Sequence, residues 1–318
     1  MKRLTLCLAL LASTTIGASA DEVTLRGASA FATGTAFAKP FEAFVDWINE
    51  NGKGVLQINV VGGPEAVPPF EVGNAVSSGV IDLANVTAAF YTNLLPEGDA
   101  LKLATNTIQE QRQNGCYELI DELHQQKMNA KYLGRTGDGI PFHLYLTKPI
   151  EGADLSGLTI RTTPVYQAMF ESLGGNLVRT APGEVYTALE RGTIDGYGWP
   201  AQGVLDLGWD EQTKYRVDPG FYQVDVDLIM NLDTWNGLGD EQKDVLQRGI
   251  EWIEAKNAEN SDINASEREK QAEAGIETIT LEGAERDKWL TAAQEEGWKA
   301  ISAIDAETAD KLRACLTN

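Results

Sequence analysis

The sequence predicts an α/β protein in two lobes, each a mixed sheet flanked by helices. Three observations carry that expectation. Apolar runs of strand length alternate with runs of helical period along most of the chain, the rhythm of sheets with crossover helices. About three hundred residues follow a leader-like N-terminus, more than one compact core usually holds. Two strand-like segments, near Phe142 and Val224, are placed to carry the chain from one lobe to the other and back.

Residues 1–20 read as an export signal: Lys2 and Arg3, the apolar run Leu4 to Leu11, and Ala18-Ser19-Ala20 as a small-residue cleavage site. The apolar run is too short to span a bilayer, and Leu4-Thr5-Leu6 before Cys7 does not resemble a lipoprotein box. The expectation is a secreted chain beginning near Asp21, without a stable membrane anchor.

A strand over Val23 to Arg26 leads into a Gly/Ala/Ser-rich turn ending at Phe31. Phe37, Phe41, Phe44, Val45 and Ile48 recur at helical spacing from about Ala36 to Asn49, and Asn51-Gly52-Lys53-Gly54 ends that helix. Val55 to Val61 alternates as a strand. Pro68-Pro69 opens a short helix to Ser78, and Val80 to Val86 reads as a buried strand. A helix follows over Ile108 to Gln126, then a strand from Ala130 to Leu133, a glycine-rich turn, and the crossing strand Phe142 to Thr147. Between Leu155 and Pro200 the pattern is strand, helix, Gly174-Gly175 turn, strand, helix, and a last turn presenting Tyr197 and Trp199. Val224 to Leu232 crosses back. Asp240 to about Asn264 forms a long helix spanning the lobes, its apolar face carried by Val245, Leu246, Ile250, Trp252 and Ile253. Helices near Glu267–Ala274 and Glu282–Ile304 complete the chain. Lobe I is then 21–143 with about 228–265, and lobe II 144–227 with about 266–318.

The chain holds 26 basic and 47 acidic residues, a net charge of −21. Loss of Lys2 and Arg3 leaves 24 basic residues and a mature charge near −23. That balance repels nucleic acid and anionic lipid. Removal of the leader also takes Cys7, leaving Cys116 and Cys315 as a candidate disulfide in an oxidising compartment or as two packed thiols.

The catalytic vocabulary is thin. The two histidines are His124, in a helix of polar neighbours and read as surface, and His143, near the crossing. HExxH, CxxC, GxSxG and P-loop patterns are all missing from the sequence. The residue that stands out is Arg161, at the end of Leu158-Thr159-Ile160. Its fork of donors suits a carboxylate or sulfonate, or equally a structural salt bridge. Tyr197 and Trp199 are placed to wall such a site. Phe31, Phe70, Phe90 and Tyr91 follow or flank turns at the ends of strands, where ligands collect in open α/β sheets.

The run LSGLTIR…EVYTALERGTIDGYGWP, with PEAVPPFEVGNAVSSGVIDLA from Pro64 and the TW-x-x-L-x-x-E-Q-x-x-V pattern of Thr234 to Val245, resembles solute-binding proteins of tripartite ATP-independent periplasmic (TRAP) transporters, the DctP family. The similarity runs over essentially the whole mature chain. It implies a two-lobed periplasmic binding protein fold that closes on a small organic acid and delivers it to TRAP membrane subunits. It also implies that Arg161 grips the ligand carboxylate and that Trp199 lines the pocket where many relatives have asparagine. One branch, for 2-oxo and 2-hydroxy acids, has Glu-Trp here and uses a metal. This chain has Gly198-Trp199, and Gln223 where that branch has a second glutamate, so no metal or other cofactor is expected. Phe142-His143 stand where many relatives carry a further arginine. A monoanion with an apolar or aromatic body against Phe142, Tyr197 and Trp199 is therefore expected, held by a monomer. Rival readings are a periplasmic lyase or isomerase using Glu65, Asp138 or His143, and a ligand receptor for a sensor.

Overall fold

The computed structural model describes residues 22–317; the signal-peptide segment lies outside the described residues. Eleven strands form two mixed sheets. They are β1 (Val23–Ser29), β2 (Leu56–Gly62), β3 (Leu83–Thr87), β4 (Ala130–Gly137), β5 (Phe142–Leu146), β6 (Thr159–Thr162), β7 (Asn176–Arg179), β8 (Gly196–Pro200), β9 (Tyr215–Asp218), β10 (Val226–Asn231) and β11 (Glu277–Thr280).

The first sheet runs β2-β1-β3-β10-β4, with β1 parallel to β2 and β3, and β10 antiparallel to β3 and β4. The second runs β11-β9-β5-β8-β6-β7, with β6 parallel to both neighbours and β5 antiparallel to β8 and β9. The strand entering each sheet from the other lobe, β5 or β10, lies antiparallel to its neighbours. The sheets thereby present matching ends to one cleft. Between them the connecting segments pair with each other: Phe142 N–H donates to Tyr222 O, Phe221 N–H to Phe142 O, and Val224 N–H to Ile140 O. This two-stranded ribbon is the core of the junction.

Helix α1 (Lys39–Asn51) buries Phe41, Phe44, Val45 and Ile48, the stripe its sequence spacing predicts. After α2 (Val72–Ser77), the expected helix at 108–126 is two: α3 (Ile108–Asn114) and α4 (Cys116–Met128). Gly115 between them is left-handed, with φ of 86°, a conformation that favours glycine. Lobe II contains α5 (Pro164–Ser172) and α6 (Val185–Glu190). After α7 (Leu232–Gly237), the long helix is α8 (Asp240–Ala255), a 3₁₀ turn over 256–259, and α9 (Asn260–Glu273). α8 packs on α1 and β4, whereas Gln271 of α9 donates to Ala201 O and accepts from Arg216, so the pair spans both lobes.

The C-terminal assignment differs from the expectation. α10 (Gly283–Thr291) buries Trp289 against Phe170 and Phe221 of the second lobe. A π-helical turn over 292–296 leads into α11 (Gly297–Ser302) and α12 (Ala306–Leu316), which return to the first lobe. There Cys315 and Cys116 form a disulfide, Cα atoms 5.4 Å apart. The expected lobe II stretch 266–318 therefore divides, because α12 buries Ala309, Leu312 and Leu316 beside α3, α4 and the turn at 96–103. β9, β11 and α12 are elements the sequence reading omits. No helix among the described residues is long and apolar enough to cross a membrane.

Candidate ligand-binding site

Arg161 is a full member of β6, opposite Val178 of β7 and Tyr197 of β8. Its side chain is fully buried. Nε and Nη2 both donate to Thr180 O, at 3.1 and 2.9 Å, and Nη1 has no hydrogen-bond partner. Among the described residues no carboxylate lies within ion-pair distance of it. Burial pushes its pKa down to about 10, while Tyr166 and Glu184 act in the opposite direction, so it remains a cation at neutral pH. A guanidinium held this way, with one nitrogen left open, costs free energy until an anion meets it.

The opening is a narrow interlobe cavity of about 30 Å³. It lies at the carboxyl ends of β3, β6 and β8 and at the start of β5 and β10, the address expected for a ligand in such sheets. Phe31, Phe37, Phe90, Phe142, Tyr166 and Trp199 supply its rings. They hold one another edge-on or tilted: Phe31–Phe90 at 6.0 Å, Phe142–Tyr166 at 5.4 Å and Phe37–Trp199 at 6.1 Å. The Arg161 guanidinium lies 5.8 Å from the Trp199 ring centre. Polar wall groups are few: Thr87, Thr163 and Asp225 besides the arginine. A second cavity of about 270 Å³ shares Phe31, Phe37 and Trp199 with the first and is otherwise largely apolar.

Of the sequence candidates, Arg161, Trp199, Phe142, Phe31 and Phe90 come together on this wall. The others stand elsewhere. Tyr197 is not on it: although it shares a face of β8 with Trp199, it lies one turn of the pleat further from the strand end, stacked on Tyr145, packed on Trp209 and bonded to Thr213. His143 alternates with Phe142 along β5; its Nδ1 lies 3.0 Å from both Val217 O and Asp218. Phe70 supports Phe90 edge-on from behind, at 4.9 Å. Tyr91 packs on His124, and Gln223 sits in the junction ribbon, donating its N–H to Lys102 O. His124 is buried rather than exposed: Nδ1 meets Ile120 O at 2.7 Å and Nε2 meets Tyr91 OH at 3.0 Å. Of the groups considered for catalysis, Glu65 accepts from Gly63 N–H, and Asp138 accepts from Ile108 N–H and pairs with Arg135.

The wall residues that sequence reasoning omits are Phe37, Tyr166, Thr87, Thr163 and Asp225. The spacing did mark Phe37, but as helix core. Tyr166 had a signal in Thr163-Pro164, a helix start beside the arginine strand, which points the first turn of α5 at the cavity. Asp225 has no local motif; the antiparallel entry of β10 brings it here.

A family model for bacterial extracellular solute-binding proteins, family 7 (DctP), matches residues 28–303. The chain belongs to this family. Among curated relatives, a monocarboxylate 2-oxoacid-binding periplasmic protein of Nostoc sp. is 26% identical over 215 residues. That match takes in 63% of this chain and 57% of the relative, so the chain spans little over half the relative's length. A TRAP transporter solute-binding protein of Bordetella bronchiseptica, solved with copurified calcium and picolinate, superposes with a TM-score of 0.80 at 20% identity, over 93% of each chain. A TRAP periplasmic solute-binding protein of Marinobacter aquaeolei, in an apo open structure, gives 0.79 at 18% identity, over 93% of this chain and all of that one. The two-lobed α/β fold is common to all of these structures. The DctP family consists of solute-binding proteins rather than enzymes.

The metal used by one DctP branch does not fit here. A Cβ added at Gly198 would meet the Tyr166 ring at 2.8 Å, so the tyrosine occupies the space a glutamate side chain needs. Among the described residues no cluster of three His, Cys, Asp or Glu side chains could hold a metal ion.

Proposed function

We propose that this DctP protein is a transport receptor that encloses a small organic acid between its lobes and delivers it to TRAP-type membrane subunits. The observation that carries the reading is Arg161: a fully buried cation, anchored on Thr180 O, with Nη1 open toward an aromatic cavity and no carboxylate of its own. A ligand carboxylate would complete the pair, and the dry aromatic surroundings would strengthen it. The 2-oxoacid named for the Nostoc relative and the picolinate in the Bordetella structure are in keeping with an acid ligand. With no second arginine or lysine on the wall, a monocarboxylate or sulfonate is favoured over a dicarboxylate.

Arg161 lies fully buried with no carboxylate of its own, so the reading has the lobes open before the ligand enters and close around it. Release of a free, monomeric receptor into the periplasm after leader cleavage completes the picture. The test is a thermal-shift screen of organic acids on wild type and Arg161→Ala. A saturating acid at about a hundred times its Kd should stabilise wild type by about 2.7 kcal/mol. The variant should show no such response. An Arg161→Ala protein that responds fully would remove the assignment.

A further inference from the structure

We propose that the interlobe cavity is built for a zwitterion: a small carboxylic acid that also carries a positively charged nitrogen, with the acid group on Arg161 and the nitrogen between Asp225 and the aromatic wall. The inference rests on the organic-acid reading and narrows it.

Asp225 lies at the entry to β10, across the cavity from β6. Oδ2 is fixed by Ala88 N–H at 2.9 Å and by the Thr87 hydroxyl at 3.2 Å. Oδ1 takes no hydrogen bond from the described residues. No lysine, arginine or histidine pairs with Asp225, and none of its oxygens is within ion-pair distance of Arg161. One cavity therefore holds a guanidinium and a carboxyl group, each anchored from behind by one side of its head group and neither in an ion pair. A ligand with complementary charges at its two ends satisfies both. A plain monoanion satisfies the arginine and leaves a buried carboxyl facing an apolar body.

The wall chemistry selects a cation over a hydroxyl at the Asp225 end. A buried hydroxyl needs further polar neighbours, and here they are two threonines and the Tyr166 phenol. Phe31, Phe37, Phe90, Phe142, Tyr166 and Trp199 supply six aromatic rings, whose π-systems attract a positive nitrogen and ask for no hydrogen bond. An alkylated ammonium or a ring iminium-type nitrogen fits such a box best.

Binding is then linked to a proton. The groups that act on Asp225 are Asp227 on β10, Arg135 on β4 and Asp99 in the turn at 96–103, with Tyr91 and Tyr166 close enough to feel its charge. Burial and then Asp227 hold its pKa well above the usual carboxylate range, with Arg135 and the Ala88 N–H opposing them. That direction favours the neutral carboxyl form of Asp225. A nitrogen cation seated beside it favours the carboxylate instead, so binding should expel a proton to solvent.

Matched pairs of equal shape test the idea: trimethylglycine with 3,3-dimethylbutanoate, proline with cyclopentanecarboxylate, and 1-methylpyridinium-3-carboxylate with 3-methylbenzoate. Calorimetry at pH 7 in two buffers of different ionisation enthalpy gives affinity and proton count together. The zwitterion of at least one pair should bind at least about tenfold more tightly than its carbon twin, the scale of one desolvated cation–π and ion-pair contact. It should also release up to one proton, whereas the twin releases none. Asp225→Asn, which keeps an acceptor for Ala88 N–H, should abolish both the preference and the proton release. If every acid that binds does so as well in its carbon form, the zwitterion inference is wrong while the organic-acid reading stands. If no acid of either kind binds, both are wrong. The wild-type comparison needs no variant to fold.

Discussion

Arg161 and His124 are both fully buried titratable side chains, and they meet desolvation in opposite ways. His124 remains neutral. Its Nδ1–H donates to Ile120 O and its Nε2 accepts from Tyr91 OH, and burial lowers its pKa to about 4. Unfolded, the same ring takes a proton near pH 6.5. As pH falls from 6.5 toward 4, the unfolded state gains a proton that the folded state refuses, so stability falls across that window. The loss attributable to His124 is on the order of 2–3 kcal/mol at pH 4. Denaturant melts at pH 7 and pH 4.5 should show a smaller difference in His124→Gln than in wild type; equal differences would assign the acid sensitivity elsewhere. Arg161 remains charged, and its anchor depends on two parallel N–H groups on one carbonyl. Arg161→Lys keeps the charge but cannot hold Thr180 O and a ligand in the same fork, and should weaken binding of a cognate acid by at least about tenfold. The arginine was legible because a strand ending in a guanidinium is unusual. Asp225 was not, since its place in the cavity arises from the antiparallel entry of β10 rather than from its neighbours in sequence. His124 misled because polar residues around it say nothing about which helix face α12 and the turn at 96–103 cover.

At the scale of elements, β8 governs how the cavity is shaped. Its sequence, Gly-Tyr-Gly-Trp-Pro, reads as a turn, because glycine and proline punctuate it and both faces are buried, which removes the alternation that marks a strand. Gly198 lets the Tyr166 ring of α5 close against the strand, and Tyr166 in turn braces Phe142. Gly198→Ala should force that ring aside. We expect about 1–3 kcal/mol of destabilisation, measured by chemical denaturation, together with weaker ligand binding. An unchanged midpoint would show that Tyr166 relaxes freely. Short elements were the least legible. β9 and β11 are four residues each, and β11 is largely exposed, so neither carries an apolar period. The single long helix expected after Ile108 was divided by Gly115, a residue helices tolerate, and its left-handed backbone cannot be read from composition.

The whole molecule is discontinuous: each lobe is assembled from separated stretches of chain, and α11 and α12 return to the lobe where the chain began. The disulfide joins residues 199 positions apart and so closes most of the molecule into one loop. Replacing both Cys116 and Cys315 with alanine should lower unfolding stability by about 2–4 kcal/mol in denaturant titrations. Neither cysteine lines the cavity, so ligand-induced stabilisation should survive; its loss would tie the bridge to lobe closure. The two-lobed plan was legible from length and rhythm, and the crossings at Phe142 and Val224 from strand patterns. The return of α12 was not, because which lobe a terminal amphipathic helix covers depends on surfaces formed by residues two hundred positions away.

Trp199 separates two cavities and packs edge-on against Trp209 at 4.7 Å, its indole nitrogen unpaired. Of the seven tryptophans, it alone lines the inner cavity among the described residues. Two indoles at that distance and a tilt of 67° couple their electronic transitions, giving a near-ultraviolet circular dichroism band set by their mutual orientation. A ligand seated against Trp199 should shift that band, an optical gauge of occupancy readable without a label and silent to molecules that merely coat the surface.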